Sequence, residues 1–427
     1  MKKFILVFII TVLSVPVFSQ VNFDDYFTYK TMRFDYYRAG NSEGNDIFFD
    51  QIKQEPYWSG NPINLIDKFN YGYYRYMVYD SATNKLIFSK GYNSFFEEWQ
   101  STPEARILKR SLFESVSFPY PKKTVRLELQ ERNKKDEFIK KFEMYINPDN
   151  RFIVRESPRN FKTNKIVDAG DPLYCVDIVF IPEGYTKDQM EKFRSDAQRF
   201  SGYFLECSPW KENKDKVNFW TVEAFSDESG VDNPGEQVWK NTLMNFSYYS
   251  TDVERYLMSF DFKSVRDLAA CVPFDNIVII SNSSKYGGGA IYNYYTSIPS
   301  DNEYGPYLIV HEFGHHFCAL GDEYYTSQVS VEDYYNLKIE PYEPNLTTLV
   351  NFDKKWKNMI EPGIPIPTPA TDEYKDKLGA FEGGGYVAKG VYRPMIDCTM
   401  KTKSYNNFCP VCKKAIIDMI NYYSEKK

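Results

Sequence analysis

Histidine is scarce in this chain, with three residues among 427. Beyond the N-terminus, no stretch approaches the roughly 18 consecutive apolar residues that a membrane-spanning helix needs. Internal repeats, heptad arrays and low-complexity tracts are also lacking, so nothing predicts a repeat protein or a coiled coil. The formal net charge of −6 leaves no basic excess. Neither nucleic acid nor an acidic membrane surface is therefore an expected partner.

The first 19 residues are predicted to be a signal peptide. Two lysines precede an apolar run from Phe4 to Phe18, and Ser19 supplies the small residue of a cleavage site before Gln20. The run is too short for a confident membrane span, and no cysteine follows the cleavage point to carry a lipid anchor. The protein is therefore expected to be exported to the periplasm, the cell surface or the medium, and to be a monomer.

Two domains are expected after the signal peptide, because about 400 residues exceed one ordinary domain. Residues 20–155 have the pattern of strands. Tyr73–Tyr79 is rich in aromatic residues, and Val125, Leu127 and Leu129 alternate with polar residues, as in a half-buried antiparallel strand. This part of the chain is predicted to be an all-β sandwich with an accessory function.

Residues 165–427 are predicted to form the catalytic domain, with an α/β (α+β) fold. From Tyr174 onward, strands near 175–181, 217–222 and 277–280 alternate with helices near 187–206 and 251–269. Such alternation indicates helices packed on a mixed central sheet. Because every motif described below lies in this part, we expect it to fold and to hydrolyse short peptides without residues 20–155.

Two of the histidines, His311 and His315, flank Glu312 in a His-Glu-Phe-Gly-His string. Residues four apart lie on the same face of a helix, so both imidazoles can reach one metal ion while Glu312 points toward a bound water. Zinc suits this arrangement, because it takes neutral imidazole nitrogens and needs one more protein ligand to leave a position for water. Apolar residues from Tyr307 to Leu320 follow helical spacing, so the motif is expected on a buried helix.

Gly321 is expected to end this helix, since a glycine commonly follows the last turn in the left-handed conformation. The chain would then turn and present the next residues toward the metal. Asp322 is the predicted third ligand, because a carboxylate is an acceptable zinc donor, and Glu323 is the alternative. His316 points about 100° away around the helix and is interpreted as a packed or supporting histidine.

The stretch from His311 to Tyr324 resembles the zinc motif of the IgA peptidase family, bacterial metallopeptidases related to the metzincins. In metzincins, a glycine and a third His or Asp ligand occupy the positions that hold Cys318 and Gly321 here. Asp322 falls one place later, which is the spacing of the IgA peptidase family. The resemblance covers roughly residues 165–425 and includes six further segments: Pro182–Thr186, Tyr286–Gly289, Leu378–Gly383, Tyr392–Pro394, Cys398–Met400 and Phe408–Cys412.

The resemblance implies a metzincin-like peptidase domain with one catalytic Zn²⁺. It also implies that Met400 is the methionine of the turn beneath the zinc site, where it packs as a hydrophobic residue and does not ligate the metal.

Cys398, Cys409 and Cys412 combine a C-x-x-C pair with an upstream cysteine. A disulfide from Cys398 to Cys409 or Cys412, or simply packed thiols, is the favoured interpretation. A second zinc site or a thioredoxin-like redox pair is the alternative. A structural zinc site usually closes with four ligands, and His316 is the only histidine left to complete one. Because the chain has seven cysteines, at least one must stay unpaired.

Substrate contacts are predicted near the glycines Gly288 and Gly289. The segment 290–296 that follows them is expected at the edge of the sheet, where an exposed strand can hold an extended peptide. The loop-rich segment 330–394 is expected to build the far wall of the cleft. Three more residues are candidate oxyanion donors or substrate contacts because they lie near the motifs: Tyr324, Tyr405 and Arg393.

These patterns together predict a secreted zinc-dependent endopeptidase that uses Glu312 as general base. The expected partner is a protein or peptide, and the resemblance implies host immunoglobulin or another glycoprotein. One alternative is a zinc amidase or exopeptidase that acts on cell-wall or dietary peptides. Another is a surface-binding protein with a tyrosine-rich sandwich and a vestigial zinc site, but a binder has no use for a general base.

Overall fold

The structure of the chain is a computed structural model that describes residues 21–325 and 335–426. The predicted signal peptide, residues 1–19, lies outside the described residues. Within the described ranges, no helix is long and apolar enough to cross a membrane.

The N-terminal unit consists of two antiparallel sheets packed face to face. Its elements are α1 (Phe23–Tyr26), β1 (Phe27–Asn41), β2 (Gly44–Glu55), β3 (Tyr74–Asp80), β4 (Leu86–Tyr92), α2 (Phe95–Gln100), β5 (Arg110–Pro121), β6 (Val125–Arg132) and β7 (Phe138–Ile146). One sheet has the order β2-β1-β5 and the other β4-β3-β6-β7. Phe34 and Phe118 from the first sheet meet Val78 and Leu127 from the second in one buried cluster. The unit therefore has the predicted two-sheet arrangement, with two short helices added.

The second unit is built around a six-stranded mixed sheet. Its elements up to residue 318 are β8 (Thr163–Val167), β9 (Val176–Glu183), α3 (Met190–Glu206), β10 (Val217–Val222), α4 (Phe262–Ala269), β11 (Asn276–Ser281), β12 (Gly289–Ile291), β13 (Tyr295–Pro299) and α5 (Gly305–Cys318). The strand order is β12-β13-β11-β9-β10-β8. The four inner strands are parallel, and the edge strands β12 and β8 are antiparallel to their neighbours. The predicted alternation of strands and helices on a mixed sheet is confirmed.

Two elements differ from the sequence-based expectation. The helix expected near 251–269 is the shorter α4, because Thr251 and Asp252 have the positive φ values of 55° and 64°, which a helix cannot contain. The edge segment expected over 290–296 is a hairpin, in which the short strand β12 folds back on β13. The edge strand β12 therefore begins at Gly289 itself, one residue before the predicted edge segment.

Helix α5 lies between the sheet and the C-terminal part of the chain. That part contains the hairpin strands β14 (Phe381–Gly384) and β15 (Val387–Arg393) and the last helix, α6 (Pro410–Ser424). Phe313 of α5 packs edge-on against Phe204 of α3 at 4.9 Å between ring centroids, and Phe317 stacks with Tyr423 of α6 at 6.0 Å. Because α5 is enclosed by α3, α6 and the sheet, its side chains are held in fixed positions.

The two units share a buried interface. Phe95 of α2 lies in the same apolar cluster as Ile181 and Ile279 of the mixed sheet. An ion pair of 2.7 Å joins Arg33 of β1 to Asp267 of α4. Such an interface couples the units, so the N-terminal unit is more than an appended module.

Candidate active site

The metal motif lies on α5, as predicted, and three side-chain atoms converge beside it. The Nε2 atoms of His311 and His315 are 3.3 Å apart. The Oδ1 atom of Asp322 lies 3.2 Å from the first and 3.4 Å from the second. These three residues are one of two groups, within the described residues, whose ligand atoms are close enough to hold one metal ion.

The hydrogen bonds of both imidazoles place the single proton of the neutral ring on Nδ1 and turn each Nε2 atom toward Asp322. Nδ1 of His311 donates to the carbonyl of Thr399 at 3.0 Å, and Nδ1 of His315 donates to the carbonyl of Leu320. A neutral imidazole carries its single proton on one nitrogen, so each Nε2 presents a lone pair. Oδ1 of Asp322 is buried and has no hydrogen-bond partner among the described residues. With both rings neutral, two imidazole nitrogens and one carboxylate oxygen face one another, a ligand set that suits a zinc ion. Against the opposing effect of burial, the Asp322 carboxylate raises the pKa of His315 to about 9, so a metal ion competes with a proton for that ring.

The segment after α5 separates the two adjacent carboxylates. Backbone hydrogen bonds from Glu323 to Met400 (2.8 Å) and from Gly385 to Asp322 (2.8 Å) hold this segment extended. Successive side chains of an extended chain point to opposite sides. Asp322 therefore faces the histidines, whereas Glu323 points into the cluster of Cys398 and Cys412. This geometry favours Asp322 over Glu323 as the third ligand.

The end of α5 differs from the prediction. The left-handed residue is Ala319, with a φ of 53°, and not Gly321. The amide of Leu320 bonds to the carbonyl of Gly314, which closes the helix two residues earlier than expected. Gly321 is required for close packing instead, because a Cβ there would lie 2.5 Å from Leu346 Cδ1.

Met400 lies directly beneath the motif. It is fully buried, and a Cβ added to Gly314, between the two histidines, would lie 3.3 Å from its Sδ atom. The preceding residue, Thr399, accepts the hydrogen bond from His311. The turn around Met400 therefore packs beneath the helix and orients the His311 ring.

A pocket of about 480 Å³ opens beside the three converging atoms and contains Glu312. Gly288 and Gly289 line it. At Gly288, φ is 148° and a Cβ would lie 2.9 Å from the Ser297 carbonyl oxygen, so only glycine fits. The same Cβ would lie 3.6 Å from Glu312 Cγ, which places the glycine against the proposed base.

The backbone of Gly288 is already engaged. Its amide donates to the Arg255 carbonyl at 3.0 Å, and its carbonyl accepts from the Leu257 amide at 3.2 Å. The Gly288 amide is therefore not available to donate to a substrate, whereas its carbonyl oxygen keeps a second lone pair. All three residues of β12 line the pocket, and Ala290 is the half-buried one among them.

Tyr324 lines the pocket, as predicted. Burial, together with the neighbouring Asp322 carboxylate, raises the pKa of Tyr324 well above its usual value. Its hydroxyl is therefore protonated and can donate. The sequence reasoning missed Tyr386, whose hydroxyl donates to Oδ2 of Asp322 and fixes that carboxylate. It follows the hairpin strand β14, 64 residues along the chain, and no local pattern marks it.

Arg255 also lines the pocket and escaped the sequence reasoning. Its guanidinium lies within electrostatic range of Glu312 and Asp322. It precedes Tyr256, which pairs with Gly288 in a parallel bridge, so the glycine segment holds it in place.

The N-terminal unit contributes Glu98 of α2 to the pocket wall, which the sequence did not predict. The Tyr256 hydroxyl donates to Oε2 of Glu98. Burial raises the pKa of Glu98 to about 7, and the Tyr256 hydrogen bond opposes that shift. The pocket is therefore built from both units.

Two predicted contacts lie elsewhere. Tyr405 does not line the pocket; its hydroxyl donates to the Tyr203 carbonyl at 2.7 Å, and its ring packs on the core behind α5. Arg393 is 3% exposed, and its Nη1 donates to the carbonyls of Glu382 and Gly383. Nearness in sequence to the motifs was a poor guide, because β15 and the turn after Met400 direct these side chains inward. Both predicted contacts were wrong.

His316 is packed, as interpreted from the sequence. It is 1% exposed, and its Nδ1 lies 3.1 Å from the Thr296 hydroxyl. Burial lowers its pKa to about 3, so the ring is neutral.

Of the two favoured interpretations of Cys398, Cys409 and Cys412, the structure agrees with packed thiols and not with a disulfide. All seven cysteines are free thiols, and Cys398 Sγ lies 3.8 Å from Cys412 Sγ, well beyond the roughly 2.05 Å of a disulfide bond.

Part of the predicted far wall lies within the described residues, where Tyr342, Glu343 and Tyr386 line the pocket.

The comparison with protein families agrees with this geometry. Residues 165–377 and 370–420 match the family model described as IgA Peptidase M64, and residues 22–143 match the one described as Peptidase M64 N-terminus. A comparison with curated proteins finds no match. The chain has the sequence of a metallopeptidase-type hydrolase. It belongs to the IgA peptidase M64 family.

Proposed function

We propose that this protein is a zinc-dependent endopeptidase whose metal ligands are His311, His315 and Asp322. The observation that carries the proposal is the convergence of two imidazole Nε2 atoms and one carboxylate oxygen within 3.4 Å of one another. A divalent cation is the simplest partner for such a set, and two imidazoles with one carboxylate suit zinc. The proposed site has three protein ligands, as catalytic zinc sites do, and so leaves a coordination position for water.

When bound, a zinc ion supplies a Lewis acid that activates water and polarises a carbonyl. Glu312 accepts the proton of the attacking water on its carboxylate and passes it to the leaving amine. The Tyr324 hydroxyl and the Arg255 guanidinium, both in the pocket lining, are the proposed donors to the oxygen that becomes negative during attack. Tyr386 holds Asp322 in its ligand orientation.

The substrate is proposed to be an extended stretch of a protein chain. The edge strand β12 can pair with an extended peptide, because all three of its residues line the pocket. Because the family description names IgA, immunoglobulin A is the first protein substrate to test.

A second candidate function is removal of residues from a chain end. Arg255, Lys401 and Lys403 place three positive charges in the pocket lining, where they could bind a terminal carboxylate. Each charge also has a local explanation; Lys401, for example, donates to the Ile396 carbonyl at 2.6 Å. The endopeptidase is therefore preferred.

Digestion of two peptide sets, followed by mass spectrometry, tests the proposal. One set has acetylated N-termini and amidated C-termini, and the other has free termini. We expect cleavage at internal bonds, loss of cleavage after chelation and recovery after addition of zinc. Cleavage only of peptides with a free terminus would instead assign an exopeptidase. No cleavage of either set by the zinc-loaded protein would contradict the proposal.

A further inference from the structure

Glu323, Cys398, Cys409 and Cys412 form a second group of potential metal ligands, separate from the histidine site. One ligand atom of each lies within 4.8 Å of the others, and all four residues are buried. The four residues come from three segments of the chain: the residue after Asp322, the turn before Met400 and the start of α6. We propose that it is a structural zinc site.

The distances fit a tetrahedral ion. Cys398 Sγ lies 3.8 Å from Cys412 Sγ, and Cys412 Sγ lies 3.3 Å from Oε1 of Glu323. Zinc–sulfur bonds of about 2.3 Å at tetrahedral angles separate two ligand sulfurs by about 3.8 Å. The thiols are therefore spaced as ligands of one ion and not as a disulfide.

Glu323 supplies a second, independent sign of a ligand. It is 0% exposed, yet its Oε2 atom has no hydrogen-bond partner among the described residues. A buried carboxylate oxygen without a partner is costly, because it loses its hydration and gains nothing in return. Its other oxygen accepts from Asn345 Nδ2 at 3.0 Å, which orients the carboxylate toward the sulfurs.

The surroundings suit thiolates. Cys409 is the N-cap of α6, where helix amides favour negative charge. The amide of Cys409 donates to Cys398 Sγ at 3.3 Å, and the amide of Cys412 donates to Cys409 Sγ at 3.4 Å. Arg393 and Lys401 lie within electrostatic range of Glu323 and offset part of the negative charge of the group.

A redox pair fits less well. Cys398, Cys409 and Cys412 are each at most 3% exposed, and thiol–disulfide exchange requires access to an attacking sulfur. Glu323, and not a histidine, is the fourth potential ligand beside the three cysteines.

The position of this site gives it a function. Glu323 follows the catalytic ligand Asp322, and Cys398 precedes the turn that contains Thr399, the hydrogen-bond partner of His311. An ion at the cysteine site would hold both segments against α6. It would therefore position the catalytic ligands without touching the substrate.

Metal analysis of the purified full chain tests this inference, with two variants that empty one site each. We expect about two zinc ions per chain in the wild type and about one in both Cys412→Ser and His311→Ala. The matched control Cys271→Ser, a half-buried thiol outside the group, should retain two. In cobalt-loaded protein, thiolate-to-cobalt absorption should persist in His311→Ala and vanish in Cys412→Ser.

If Cys412→Ser does not fold, two measurements on the wild-type protein still test the inference. Its mass under denaturing, non-reducing conditions should show seven reduced cysteines, and mercurial titration of the thiols should release one zinc per chain. One zinc per wild-type chain with none in His311→Ala would overturn the inference, as would a disulfide within the group. These outcomes do not depend on peptidase activity, so they are separable from failure of the proposed function.

Discussion

Glu312 is the residue on which the proposed chemistry depends. Replacing it with glutamine preserves its size but removes the basic oxygen, so proton transfer from water is lost while the metal ligands remain. We expect Glu312→Gln to reduce kcat by about 10² or more and to leave the zinc content unchanged. Peptide hydrolysis and metal analysis on the same preparation measure both effects.

Glu303→Gln provides the matched control, because Glu303 is exposed and lies just before α5. It should retain wild-type kcat. Activity of Glu312→Gln within a few fold of wild type would reject the assignment of the base.

Tyr386 tests whether the hydroxyl that contacts Asp322 tunes the metal site. Tyr386→Phe removes one donor to Oδ2 of Asp322 and leaves the ring in place. Loss of such a partner typically lowers metal affinity or activity by about 10- to 100-fold. Competition with a chromogenic chelator measures the zinc affinity.

The exposed Tyr145, with 60% of its surface accessible, supplies the control Tyr145→Phe, which should bind zinc as the wild type does. If both variants bind zinc equally well, Tyr386 does not orient the ligand.

At this scale, the sequence revealed the residues whose spacing is local and missed those brought in by the fold. His311, Glu312 and His315 follow from one helical repeat. The choice between Asp322 and Glu323 required the extended backbone between them, since either carboxylate could ligate zinc. Tyr386 and Arg255 reach the pocket from distant segments, so no spacing rule could have found them.

The turn around Met400 is the element that supports α5 from below. Met400→Ala removes packing beneath Gly314, and a buried Met→Ala change costs about 2–5 kcal/mol of unfolding free energy. Because Thr399 in the same turn orients His311, we expect zinc affinity to fall as well. Urea unfolding and chelator competition measure the two quantities.

Met419→Ala is the matched control, because Met419 is also buried in the same core but lies on α6. It should destabilise the protein without lowering zinc affinity in the folded state. Equal zinc affinities for the two variants would show that the turn does not position the site.

Helices and strands with a clear hydrophobic pattern were predicted from the sequence, whereas irregular segments were not. Strands β9 and β11 are mainly apolar and buried along their whole length, which is typical of central parallel strands. The end of α5 was misplaced, because Ala319 took the left-handed conformation that glycine usually takes. Gly321 instead packs against Leu346, where a Cβ would lie 2.5 Å from Cδ1.

The whole molecule behaves as two coupled units in this structure, which argues against an independent catalytic piece. Phe95 packs against Phe260 at 4.6 Å between ring centroids, and Glu98 forms part of the pocket wall. Sequence pattern revealed two domains but not this interface, since long-range packing leaves no local period.

We therefore expect residues 165–427 expressed alone to be insoluble, or to hydrolyse short peptides much less well than the full chain. Removing the N-terminal unit exposes the apolar partners of Phe95 and leaves Asp267 without Arg33. Size-exclusion chromatography and a short quenched peptide, with the full chain in parallel, provide the comparison. A soluble fragment with full activity on that peptide would restore the interpretation of the N-terminal unit as an accessory module.

The central claim is that His311, His315 and Asp322 hold one catalytic zinc ion. An anomalous difference map from crystals of the purified protein, recorded at the zinc absorption edge, tests it most directly. We predict a peak in contact with Nε2 of His311, Nε2 of His315 and Oδ1 of Asp322, with Glu323 outside its coordination shell. A map without a peak among these three atoms, or with Glu323 in place of Asp322, would contradict the account.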